Sequence, residues 1–179
     1  MSNSVVKNRQ SLFLDRDGVI NKRIMGGYIT RADDFEFLPG VLEAIRLLSE
    51  HFAHVFIVTN QQGIGKGLMT EEKLEEIHQA MQSQIEYAGG RIDKIYFCPD
   101  LASKEPNCRK PGIQMALQAK QDFPDINFTQ SIMVGDTLSD MEFGENAGMQ
   151  CVLISDSKEA KYATFTSLLN FANSLKNTK

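Results

Sequence analysis

Five short apolar runs recur along the chain, at Ser11–Leu14, Val55–Val58, Lys94–Phe97, Ser131–Val134 and Gln150–Ile154, with helix-patterned segments between them. Runs this short read as strands, and the intervening segments carry apolar residues at helical spacing. After Pro39-Gly40 the set Val41, Leu42, Ala44, Ile45, Leu47 and Leu48 forms one helical face. Thr70-Glu71-Glu72 supplies a capping hydroxyl and then acids for the positive end of a helix that carries Leu74, Ile77, Met81 and Ile85 and stops at Gly89-Gly90. Pro111 suits a first helical position, so a helix is expected from about Pro111 to Asp122, with Lys110 at its mouth. A short helix ends near Gly148, and Phe165, Leu168, Leu169, Phe171 and Leu175 suggest a final one. Strand-helix alternation of this kind predicts an α/β fold, a doubly wound parallel sheet with helices on both faces.

The ends of the runs are where the chemistry gathers. Leu12-Phe13-Leu14 runs straight into Asp15-Arg16-Asp17-Gly18. Unpaired charges are costly inside a protein, and the carboxyl ends of parallel strands are where such sheets bind ligands. Side chains alternate along a strand, so Asp15 and Asp17 point the same way, and Gly18 permits a tight turn after them. Asp-Gly is also a common turn pair and Asp a common helix cap. These ten residues alone admit either a turn or a site. A calcium loop is excluded: Val19 stands where a third ligand is needed, and Gly26 where the bidentate Glu belongs.

The second run leads into Thr59-Asn60-Gln61-Gln62, and the fourth into Gly135-Asp136-Thr137-Leu138-Ser139-Asp140. Gly63-Ile64-Gly65-Lys66-Gly67 is not a phosphate loop, because Gly67 follows the lysine where Ser or Thr is required. It reads as a flexible loop in which Lys66 could touch an anion. His78 lacks a second ligand four residues on and reads as a surface or half-buried residue. The connection 21–38 is long for an idle turn and is expected to cover the site, with Arg23, Tyr28 and Arg31 as residues that could face a ligand or solvent.

Composition narrows the class. At 179 residues the chain is expected to form one domain, with residues 1–10 as a polar arm and the loops 21–38 and 98–110 near the site. Hydrophobic residues make up 42% and charged residues 23%, as in an ordinary globular protein. A net charge of −4 with no long basic run argues against nucleic acid or an anionic membrane as the partner. No stretch approaches a membrane span, and the first ten residues lack the apolar core of a signal peptide. Three cysteines, an odd number, suit a reducing cytoplasm better than a disulfide framework.

In a doubly wound sheet the polar strand ends open on one edge, which would gather Asp15, Asp17, Thr59, Asn60, Lys110, Asp136 and Asp140. Neighbouring carboxylates need a cation to remain ionised together. All-oxygen ligands that leave room for waters and a phosphate favour magnesium. With a lysine and a hydroxyl beside them, this is the outline of a phosphoryl-transfer site.

Asp15-Arg16-Asp17-Gly18-Val19, Val58-Thr59-Asn60, Lys110 and Gly135-Asp136 with Asp140 resemble, in order, the four motifs of the haloacid dehalogenase superfamily of phosphatases. Phe13 to Asn21, Asp34 to Gly40, Val58 to Ile64 and Arg109 to Pro111 are similar more narrowly to the branch that holds the D-glycero-D-manno-heptose 1,7-bisphosphate 7-phosphatases and the histidinol-phosphate phosphatases. The likeness covers about residues 11–155. It implies a magnesium-dependent phosphomonoesterase working through an aspartyl-phosphate, on heptose bisphosphate or on histidinol phosphate or another small ester. By resemblance, Asp15 is nucleophile and magnesium ligand. Asp17 is general acid and then base, and its carbonyl also meets the metal. Thr59 and Lys110 hold the phosphoryl group, Asp136 ligates magnesium, Asp140 supports it, and Asn60 and Arg109 contact substrate. The resemblance also implies sheet order 5-4-1-2-3 and a small phosphorylated sugar as partner; the loops leave no room for a large cap domain, and a cytoplasmic monomer is expected. A non-catalytic relative would be expected to lack Asp15 or Asp17, and a receiver-like phosphoacceptor would lack the second acid.

Two features depart from that branch. Its structural zinc loop has the form Cys-x-His and Cys-x-Cys; here Cys98 and Cys108 remain, but Asp100 and Pro106 stand at the other two places. A closed zinc site needs four ligands, and proline offers no side-chain ligand, so no tightly bound structural zinc is expected and the loop must be held by its own packing. Thr137 stands where heptose enzymes often carry a lysine.

Overall fold

A computed structural model of the chain describes residues 11–157 and 161–176; the expected arm over residues 1–10 lies outside them. The strands are β1 (Ser11–Leu14), β2 (His54–Asn60), β3 (Lys94–Cys98), β4 (Ile132–Gly135), β5 (Gln150–Ile154) and β6 (Ala163–Phe165). The helices are α1 (Val41–His51), α2 (Glu71–Tyr87), α3 (Gln114–Asp122), α4 (Leu138–Ala147) and α5 (Leu168–Lys176). All strand pairs are parallel, in the order β3-β2-β1-β4-β5-β6.

Alternation along each central strand feeds two cores. Leu12, Leu14, Val55, Ile57, Ile132 and Val134 pack against α1, α5 and the Met81–Ile85 side of α2. Phe13, Phe56, Val58 and Met133 pack against Met115, Ala116 and Ala119 of α3 and Phe143 of α4. Central strands buried on both faces therefore read as continuous apolar runs.

The fold differs from expectation at two helix boundaries and at one edge. Phe165 belongs to a sixth strand, not to the last helix, so the expected five-strand order gains an edge. Helix α3 begins at Gln114, since a turn closed by Gly112 N donating to Arg109 O (2.7 Å) holds Lys110 and Pro111 outside it. Helix α2 starts where expected, with the Thr70 hydroxyl accepting from Lys73 N. Helix α4 ends on Gly148 at φ +80°, a left-handed cap that suits glycine.

The chain moves outward in one direction from β1 through β2 and in the other through β4, which leaves a crevice at the carboxyl ends of β1 and β4. Asp15 leaves β1 there and Asp136 leaves β4 beside it.

Candidate active site

At that crevice lies a cavity of about 510 Å³, walled by Asp15, Asp17, Thr59, Asn60, Arg109, Lys110 and Asp140 and, on the loop side, by residues from Arg23 to Ile29. Asp15 N continues the β1–β4 ladder by donating to Val134 O (2.9 Å), which fixes its carboxylate at the cavity floor. Only 5% of Asp15 is exposed. Burial pushes its pKa up, the Asp140 charge adds to this, and Lys110 opposes it.

Lys110 is as buried as Asp15. Its Nζ donates to Asp15 Oδ1 (2.7 Å) and Val58 O (2.8 Å) and pairs with Asp140 Oδ1 (2.5 Å). Burial works against its charge, but Asp15 and Asp140 outweigh that and raise its pKa. Lys110 is thus held by carboxylates at the cavity floor rather than at a helix mouth. Asn60 brackets its backbone, accepting from Lys110 N (3.0 Å) and donating to Lys110 O (3.3 Å).

Asp140 Oδ2 accepts from Thr137 N (3.1 Å) and Thr137 Oγ1 (2.6 Å), capping α4 while its other oxygen serves Lys110. Close packing surrounds these acids: a Cβ on Gly135 would lie 2.1 Å from Asp140 Cβ, and one on Gly18 would lie 2.0 Å from Asp136 Oδ2.

Asp17 is gripped from three sides. Arg16 Nη2 forks onto both of its oxygens (3.1 and 3.0 Å), Asn21 Nδ2 donates to Oδ1 (2.9 Å) and Gln61 Nε2 donates to Oδ2 (2.9 Å). Burial would raise its pKa, but Arg16, Asn21 and Gln61 together hold it below the usual carboxylate value. Gln61 also donates to Thr59 Oγ1 (2.9 Å), tying the two expected site residues together.

The donor set for a cation is oxygen-only. Carboxylate oxygens of Asp15, Asp136 and Asp140 lie within 4.8 Å of one another. Arg23 reports the same preference: its Nη2 lies 2.8 Å from Asp136 Oδ1, 2.7 Å from Asp17 O and 3.9 Å from Asp15 Oδ2. A cationic group therefore already finds the three residues expected to hold magnesium, and hard oxygen donors of this kind suit that ion. Asp136 has its pKa raised by burial, with Arg23 opposing.

The structure brings Asp15, Asp17, Thr59, Asn60, Lys110 and Asp140 of the expected strand-end set to one cavity together with Arg109, while Asp136 does not line it but is bonded to Arg23 on its wall. Sequence reasoning missed Arg16, Asn21 and Gln61 as partners of Asp17, and it placed His78 too near the surface. His78 is 3% exposed and shares the buried side of α2 with Leu74, Met81 and Ile85. Its spacing from those residues, four and then three and seven, was the available signal. Arg31 pairs with Asp33 outside this cavity. In the loop 98–110 Cys98 and Cys108 form a disulfide, while Asp100 Oδ2 accepts from Cys108 N (3.1 Å). The expectation that an odd number of cysteines argues against disulfides is thus corrected: two pair and Cys151 is left free, so a covalent link supplements the packing expected to hold the loop.

The chain is similar to several known proteins. The model of the polynucleotide kinase 3 phosphatase family matches residues 12–176. The D-glycero-alpha-D-manno-heptose-1,7-bisphosphate 7-phosphatase of Mycobacterium bovis is 39% identical over 168 residues, covering 90% of this chain and 88% of the relative. The chain belongs to the heptose-1,7-bisphosphate 7-phosphatase family of the haloacid dehalogenase superfamily. As a member of that family it is a phosphatase, a hydrolase. The D-glycero-beta-D-manno-heptose-1,7-bisphosphate 7-phosphatase of Vibrio cholerae is 39% identical over 148 residues, covering 79% of this chain and 78% of that one. The crystal structure of the D,D-heptose bisphosphate phosphatase from B. bronchiseptica, complexed with magnesium and phosphate, superposes with a TM-score of 0.85. It is 27% identical and covers 95% of this chain and 99% of its own.

Proposed function

We propose that this phosphatase is a magnesium-dependent phosphomonoesterase that removes the 7-phosphate of D-glycero-D-manno-heptose 1,7-bisphosphate through an aspartyl-phosphate on Asp15. The observation that carries the reading is Asp15 itself: a buried carboxylate at a strand end, on the floor of a cavity, paired with Lys110 and beside Asp136 and Asp17.

Asp15, Asp136 and the Asp17 carbonyl would hold magnesium, which when bound supplies positive charge that offsets the phosphate oxygens. Lys110 and Thr59 hold the transferring group. An Asp15 oxygen forms the bond to phosphorus as the bond to the sugar oxygen breaks, and Asp17 gives that oxygen its proton. Asp17 is then the base that takes a proton from water. The water oxygen bonds to phosphorus, the bond to Asp15 breaks, phosphate leaves, and both aspartates are restored. The carboxylate form of Asp17 favoured by its three donors is the form the second step needs. The negative charge of an arriving phosphate raises its proton affinity for the first.

Two cations on the cavity wall support a second anionic group on the substrate. Lys66 lies over the Tyr28 ring (5.2 Å to its centre), and Arg109 Nη1 donates to Asp100 O (3.2 Å). Asn60, bracing Lys110, brings that wall and the phosphoryl site together. The loop 98–110 is proposed to work without zinc, on the support of the Cys98–Cys108 disulfide and of Asp100 and Pro106 at the other ligand places. The net charge of −4 favours a small sugar phosphate over nucleic acid, and we place the enzyme in the cytoplasm as a monomer. No helix among the described residues is long and apolar enough to cross a membrane.

The test is phosphate release with magnesium from both anomers of heptose 1,7-bisphosphate, histidinol phosphate and fructose 1,6-bisphosphate. A strong preference for one heptose anomer is expected. Even, weak activity across the panel would overturn the heptose assignment, and none at all would overturn the phosphatase chemistry.

A further inference from the structure

The most deeply buried charged group outside the catalytic set is Arg16, 1% exposed, and its partner His78 lies in the middle of α2. His78 does not line the cavity. Arginine has no acceptor, so in the 3.1 Å contact between Arg16 Nη1 and His78 Nε2 the guanidinium donates and the ring nitrogen accepts. The other arm, Nη2, forks onto Asp17. Arg16 Nε makes no hydrogen bond among the described residues. The plane of the guanidinium is therefore set from two ends only, by His78 on one side and Asp17 on the other.

We propose that His78 is a positioning residue for the general acid, fixing the Arg16 guanidinium so that its fork holds the Asp17 carboxylate at the angle needed to reach the leaving-group oxygen. Burial, assisted by the Arg16 charge, keeps the imidazole neutral, with a pKa of about 3, so Nε2 stays an acceptor throughout the working range. The Phe97 ring, edge-on with its centre 6.4 Å from the imidazole, packs the ring in place. The same carboxylate is also met by Gln61 and Asn21, so loss of His78 releases one of three supports and leaves two. The inference rests on the phosphatase reading and on Asp17 as the acid.

A general acid matters in proportion to how poor the leaving group is, and this separates a positioning role from a structural one. kcat/KM covers the steps up to departure of the leaving group, so it isolates the proton donation. In His78→Leu, kcat/KM for heptose 1,7-bisphosphate should fall roughly tenfold, part of the 10²–10⁴ that such an acid supplies, while that for p-nitrophenyl phosphate falls less than about twofold. His78→Gln, which keeps an acceptor, should recover most of the sugar-phosphate rate. An equal loss on both substrates, or no loss on either, overturns the proposal. If His78→Leu shows no folding transition, Arg16→Lys decides the matter: it keeps the charge, lacks the fork, and should show the same split. Failure of the wild-type enzyme on both substrates would instead overturn the phosphatase reading beneath the proposal.

Discussion

Lys110→Met removes a buried cation and leaves its partners in place. In the folded protein Lys110 Nζ holds Asp15 Oδ1, Val58 O and Asp140 Oδ1 at 2.7, 2.8 and 2.5 Å. Methionine fills similar space but offers none of those bonds, so Asp15 and Asp140, 5% and 1% exposed, face each other without a counter-charge. Breaking a buried pair by removing one partner costs about 3–5 kcal/mol. In a chain of this length each kcal/mol moves the midpoint by about 2–4 °C, so thermal unfolding of the metal-free variant should begin roughly 6–20 °C lower. The deficit has a pH dependence of known sign. Burial and Asp140 already raise Asp15, and without Lys110 that rise is larger. A carboxyl whose folded pKa is raised loses stability as pH climbs from its unfolded value through its folded one. The gap between variant and wild type should therefore be small near pH 5 and largest near pH 8. Calorimetry at both values reads it. A variant that melts with the wild type at pH 8, or whose deficit grows on acidification, would refute the reasoning.

Gly18→Ala should cost about 1–2 kcal/mol from φ of +97° alone. It should also weaken magnesium binding measured by calorimetric titration, because the new Cβ displaces Asp136. Unchanged magnesium affinity would sink the second part. His78 has its pKa depressed from 6.5 to about 3 by burial and by Arg16. The unfolded chain binds the proton first, so stability is lost as pH falls below 6.5. Between pH 7 and pH 5 the wild type should lose about 2 kcal/mol more than His78→Gln in denaturant melts, and parallel curves for the two proteins would contradict this.

The strands were legible where the sheet buries both faces, as at Phe13, Phe56 and Met133, because continuous apolar runs have few other uses. Asp15, Asp17 and Asp136 stood out because acids directly after such runs need a reason. Strand β6 was illegible: Ala163-Thr164-Phe165 is three residues on an edge, without an apolar run or alternation long enough to read. Arg16 carried no reading of its own, since sequence gives no sign that an arginine turns inward to a histidine 62 residues away. Gln61 was one of two adjacent glutamines, and only the fold selects the one that touches both Thr59 and Asp17. Lys110 stood out for its charge but was set at a helix mouth, because the 109–112 turn depends on one backbone hydrogen bond. The pairing of Cys98 with Cys108 was likewise closed to sequence, which fixes spacing but not the approach of two sulfurs.

The central claim is the nucleophile, and chemical trapping tests it most directly. Enzyme turning over heptose 1,7-bisphosphate with magnesium is quenched and reduced with borohydride, which converts an acyl phosphate to an alcohol, and its peptides are weighed. The account predicts reduction at Asp15, dependent on substrate and absent in Asp15→Asn. Reduction at another carboxylate, or substrate turnover by Asp15→Asn at the wild-type rate, would contradict it.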